Sequence, residues 1–62
     1  MTSPLEDLIA GLEVQLVRTV AALYDAEVAR RYVEVMELEL RVERLHAALA
    51  VAAERLARGR GS

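Results

Sequence analysis

From Leu5 onward apolar residues return every three or four positions, and nothing breaks that rhythm for some fifty residues except the single glycine Gly11. A three-to-four period belongs to amphipathic helix rather than strand. Its start is written in the residues that precede it. Ser3 offers a hydroxyl cap, Pro4 suits the first helical position, and Glu6 and Asp7 face the positive end of the helix dipole. Its end is marked by Arg55 and Arg58 before Gly59, a residue able to take the left-handed conformation after a helix stops. The pattern predicts an all-α chain. One stretch competes, because Val33, Val35, Leu38, Leu40 and Val42 roughly alternate with acids and an arginine as a half-buried strand would. That register slips at Val35-Met36, which favours helix there too.

Placed at about 100° per residue, the first half has its small and polar face at Gly11, Gln15, Arg18, Ala22 and Ala29. Leu5, Ile9, Leu12, Leu16, Val17, Val20 and Leu23 make a broad apolar side opposite. The second half has its polar face at Glu34, Glu37, Arg41, Arg44 and Arg55, flanked by two apolar edges: Val35, Leu38, Val42, Leu45 and Leu49, then Met36, Leu40, Ala47 and Ala50. One heptad stripe, Val14, Val17, Ala21, Tyr24, Val28, Val35, Leu38, Val42, Leu45, Leu49, runs through both halves, but the second stripe changes sides. The core direction then swings by about 150° in a coiled-coil frame, which a continuous two-stranded coil cannot bury. A hairpin removes the conflict. The expected arrangement is one domain over 1–62, with helices at 4–25 and 31–58, a break within 25–31, and Asp25 capping the second helix. Each arm has more apolar face than one neighbour covers, so two hairpins pairing as a homodimeric antiparallel four-helix bundle is the expected assembly. The alternative is one long helix in a coiled-coil oligomer.

Composition narrows the classes. A 62-residue chain without cysteine buries only about 60% of its unfolded surface and is usually stabilised by a metal, self-association, or both. Eight arginines, no lysine and ten acids give a net charge of −2, the wrong sign for a nucleic-acid binder. The apolar run from Ala47 to Ala53 falls short of the ~18 residues that span a bilayer, and the acidic start is unlike a signal peptide. The chain reads as soluble, cytoplasmic and independent of membranes, the negative charge also disfavouring a surface-lying amphipathic helix. No cysteine nucleophile, phosphate loop or second histidine offers other catalysis, and Thr19 has no histidine within helical reach.

The chemistry-bearing residues are ionisable groups at positions where apolar ones belong. Glu13 has Ile9, Ala10, Leu16, Val17 and Val20 as helical neighbours, which directs it along the first helix's apolar face. On the second helix Glu39, Glu43 and His46 share one side between the apolar edges. Glu43-Arg44-Leu45-His46 is a Glu-x-x-His pair, a spacing by which one helix gives an oxygen and a nitrogen to one ion. A break near Val28 brings Glu13 level with Glu43 and His46. A dimer would then hold four carboxylates and two imidazoles in one layer, enough to balance two divalent cations, and without cations their burial is costly. The plainer reading of these residues is a wet pair at a bundle margin for Glu43 and His46, a solvent-reaching edge carboxylate for Glu13, and an interface salt bridge for Glu39. Tyr24 and Tyr32 read as core-edge residues, and Arg41, Arg44 and Arg55 as a solvated exterior.

Leu12-Glu13-Val14-Gln15-Leu16 and Glu43-x-x-His46 together resemble the designed di-iron helical hairpins called due ferri, which copy the ferritin-like dimetal carboxylate site. The resemblance implies carboxylate ligation by Glu13 and Glu43, one of them bridging, with His46 a terminal nitrogen ligand and Leu12 and Leu16 controlling access to the metals. It further implies two divalent ions per dimer, iron, manganese or zinc, and with iron an oxidase or ferroxidase chemistry. Val20 and Val42 stand where those hairpins carry second-layer tyrosine and acid, a role for which Glu39 is a partial substitute. Against this stands a helical self-association module with no metal.

Overall fold

The computed structural model describes residues 3–61 as two helices, α1 over Pro4–Val28 and α2 over Tyr32–Gly61, packed as an antiparallel hairpin. Neither a strand nor a continuous rod is present among the described residues, so both of those alternatives fall away. The start of α1 is built as the sequence indicates. Ser3 is extended (φ −76°, ψ 156°), its Oγ accepts the Glu6 N–H at 3.1 Å, and Pro4 opens the helix.

The turn differs from expectation in its chemistry. Asp25 caps nothing: it lies inside α1, and its carbonyl accepts the Ala29 N–H at 3.0 Å. Helix α1 instead ends with Ala29 and a left-handed Arg30 (φ 59°). The Arg31 N–H donates to Ala26 O at 2.9 Å and the Arg30 N–H to Glu27 O at 3.1 Å, which together form a Schellman motif. Arginine occupies the position where glycine is usual, which is why no turn residue flags it. Helix α2 begins at once: Arg31 O accepts the Val35 N–H, and the Arg31 side chain pairs with Glu34 at 3.3 Å. At the far end Gly59 stops nothing, because α2 continues to Gly61 and no described glycine has positive φ.

Apart from Ser3 and Glu6 at the cap of α1, the residues withdrawn from solvent are spaced by four and three in strict alternation. They are Leu5, Ile9, Leu12, Leu16, Thr19, Leu23 and Ala26 on α1, and Val35, Leu38, Val42, Leu45, Leu49, Ala52 and Leu56 on α2. Two such heptad rows make a coiled-coil seam. The α2 row is the one expected, and the larger members of the α1 row, Leu5, Ile9, Leu12, Leu16 and Leu23, come from the broad apolar side read in the sequence, without its Val17 and Val20. Val14, Val17, Ala21, Tyr24 and Val28, assigned above to the shared stripe, all lie on the outside. Among the described residues Leu45 is the largest side chain to fall below a tenth exposed, at 8%, and no large side chain is fully enclosed.

Whole-molecule dimensions follow from this single seam. The hairpin measures 48 × 19 × 11 Å, about the length of α2, two helices wide and one deep. Its radius of gyration, 14.4 Å, exceeds the roughly 11 Å of a compact domain of this length.

Candidate functional site

Around each helix three zones follow from the seam. Ala22, Asp25, Arg31, Glu34, Glu37 and Arg41 line one groove, which places the polar flanks of both helices on the same broad side of the hairpin. Helical angles add Arg18 on α1 and Arg44, Arg55 and Arg58 on α2 to that side. The opposite flank therefore forms the second broad side. It carries Glu13 and Glu27 from α1 and Glu39, Glu43 and His46 from α2, all exposed. Of Arg18, Arg41, Arg44, Arg55 and Arg58, only Arg18 borders this second side, from the outer face of α1.

Along the outer margin of that acidic side run the apolar residues the seam leaves out. On α1 these are Val14, Val17, Val20, Tyr24 and Val28; on α2, Val33, Met36 and Leu40, continued by Ala47 and Ala50. Val17 is 70% exposed and Val33 72%, so neither is covered by the other helix. Ala10, Glu13, Val14, Val17 and Arg18 line a shallow open depression on this part of α1.

The predicted ligands are thus brought to one side of the molecule but not into a cluster. Glu13 does not lie at the centre of the buried face of α1; the seam runs through Leu12 and Leu16, and Glu13 stands beside it in solvent. Because the turn centres on Arg30 rather than Val28, Glu13 is level with about residue 47, next to His46, and Glu43 lies about one helical turn nearer the loop. Among the described residues no three His, Asp or Glu side chains within one chain converge to hold an ion. Neither Glu13, Glu39, Glu43 nor His46 takes part in a described ion pair, whereas Arg31 pairs with Glu34 and Arg58 with Glu54. Thr19 is the one buried polar residue among the described positions, and its hydroxyl donates to Gln15 O at 2.7 Å within its own helix.

Sequence reasoning missed the groups that shape the turn, Arg30 and Arg31, because neither residue type signals a helix stop. No described helix is long and apolar enough to cross a membrane. Comparison with protein-family models, curated proteins and solved structures finds no match to this chain.

Proposed function

We propose that this chain is a self-association module, a helical hairpin whose outer apolar margins are covered by further copies of itself. One observation carries this reading: the hairpin is a single layer with apolar stripes on both its inner and outer faces. Its accessible surface is 5007 Å², about 1,000 Å² above the roughly 4,000 Å² of a compact protein of this mass. Stable associations remove about 800 Å² from each partner, so the excess is of the size that one interface hides. Contiguous apolar stripes of this extent on a small protein mark interaction sites.

The test is mass in solution as a function of concentration, by sedimentation equilibrium. Assembly beyond the monomer at micromolar concentration is expected, and Val17→Glu combined with Met36→Glu should return the chain to monomer while leaving it helical. A wild-type chain that stays monomeric and helical at millimolar concentration would refute the proposal.

A second reading draws on the shared placement of Glu13, Glu39, Glu43 and His46. Two hairpins meeting acidic side to acidic side would form a homodimeric four-helix bundle and bring those residues from both copies together. Glu13, Glu43 and His46, supported by Glu39, would then hold two divalent ions per dimer. Oxygen-rich sets with one nitrogen per ion suit Fe(II) or Mn(II) and accept Zn(II) or Co(II). With iron bound, the chemistry expected is oxidation of Fe(II) by dioxygen. Titration with Zn(II) or Co(II) should raise thermal stability, saturating near one ion per chain, and His46→Ala should remove the gain. No thermal shift on metal addition would end this reading and leave self-association standing.

A further inference from the structure

The two broad sides of the hairpin differ in charge, and that difference bears on how copies meet. We infer that copies stack head to tail, the acidic side of one hairpin lying on the arginine side of the next. This rests on the self-association proposed above and specifies its geometry.

The acidic side presents Glu13, Glu27, Glu39 and Glu43, each exposed and outside any described ion pair, with His46 among them. The arginine side presents Arg18, Arg41, Arg44 and Arg55, likewise exposed and outside those pairs. Its acids, Asp25, Glu34 and Glu37, gather toward the turn, and Glu34 is already held by Arg31. A two-fold dimer through the acidic side would set four carboxylates of each copy against the same four of its partner, while Arg41, Arg44, Arg55 and Arg58 lie on the far side. Like charges set against one another in an interface are strongly unfavourable, whereas opposite potentials steer and register association. A two-fold dimer through the arginine side repeats the problem with opposite sign and leaves the apolar margin uncovered.

Head-to-tail contact resolves both. Arginine is suited to the task, since its aliphatic stem covers apolar surface while its planar head pairs with carboxylates or stacks on rings such as Tyr24 and Tyr32. All eight cations of the chain are arginine and none is lysine, the composition favoured in interfaces. Leu8 and Val51, about half exposed, give the arginine side an apolar patch of its own toward the open end of the hairpin. Because the two contact surfaces lie on opposite sides of a thin plate, each added copy leaves one of each kind free. Such heterologous contacts continue until a ring closes or remain open-ended.

The experiment is sedimentation velocity of the full chain across concentration and salt. The expected result is an average mass that rises past the dimer with concentration and falls toward monomer between about 0.05 M and about 0.5 M NaCl, as screening shortens the reach of the charges. Two charge-reversed variants, Glu39→Arg with Glu43→Arg and Arg41→Glu with Arg44→Glu, should each assemble at least tenfold more weakly alone. Mixed in equal amounts they should co-assemble, which also shows that both are folded. A closed dimer that tightens with salt, or one that forms only on adding Zn(II), overturns the head-to-tail geometry and leaves self-association intact. A monomer under all conditions removes both.

Discussion

Arg30 carries the clearest local strain in the molecule. Its φ of 59° is a region where an L side chain crowds the following carbonyl, at a cost of about 1–2 kcal/mol. The motif it completes needs that conformation, so glycine there should relieve the crowding. Arg30→Gly is expected to stabilise the hairpin by about 0.5–1 kcal/mol net of glycine's greater freedom when unfolded, read from the urea midpoint. Thr19 is the other misfit, a hydroxyl in the seam at 7% exposure whose hydrogen bond goes back to its own helix. Since the Gln15 carbonyl keeps its helical partner without it, Thr19→Val should be neutral or stabilise by up to about 1 kcal/mol. A loss beyond about 1 kcal/mol would mean the hydroxyl has a partner outside α1.

At the scale of elements, each helix carries two apolar stripes, and the two should answer differently to the same truncation. Leu45 lies in the seam, so Leu45→Ala should lower stability by about 2–4 kcal/mol through lost burial and the void left behind. Val33, on the outer stripe, should tolerate Val33→Ala within about 0.5 kcal/mol when measured on dilute protein. The same Val33 change should weaken assembly at high concentration. If both truncations cost the dilute protein equally, the assignment of inner and outer stripe is wrong. Capping offers a further check at the start of α2, where Arg31 provides no side-chain acceptor for the free N–H groups. Arg31→Ser would place a hydroxyl three residues before Glu34, the pairing of a capping box, and should raise the melting temperature despite losing an exposed ion pair of small worth.

For the molecule as a whole, the decisive quantity is what an isolated hairpin leaves in water. One seam between helices of 25 and 30 residues is a thin core for 62 residues, and a second layer would supply the burial that a single layer lacks. Stability should therefore depend on protein concentration, with the melting temperature rising as copies associate. That dependence should vanish in the Val17→Glu, Met36→Glu double variant, and its persistence there would place the interface elsewhere.

Helix content, the Ser3–Pro4 cap and the existence of two apolar stripes per helix were legible in the residues, because capping and the 3.6-residue period act between near neighbours. The α2 seam was legible too, since Val35, Leu38, Val42, Leu45 and Leu49 are its larger members. Which α1 stripe turns inward was not. Leu5 to Ala26 and Val14 to Val28 share the same period, and the choice between them depends on pairing with α2 across the turn. The turn, in turn, takes its phase from an arginine in a conformation that composition does not advertise. Glu13 moved from the centre of a buried face to its rim, and out of level with Glu43, by those two decisions alone. Periodicity set what each helix could bury, while only the packed hairpin, by a contact between residues distant in sequence, selected which half of that apolar surface to hide and which to leave for a partner.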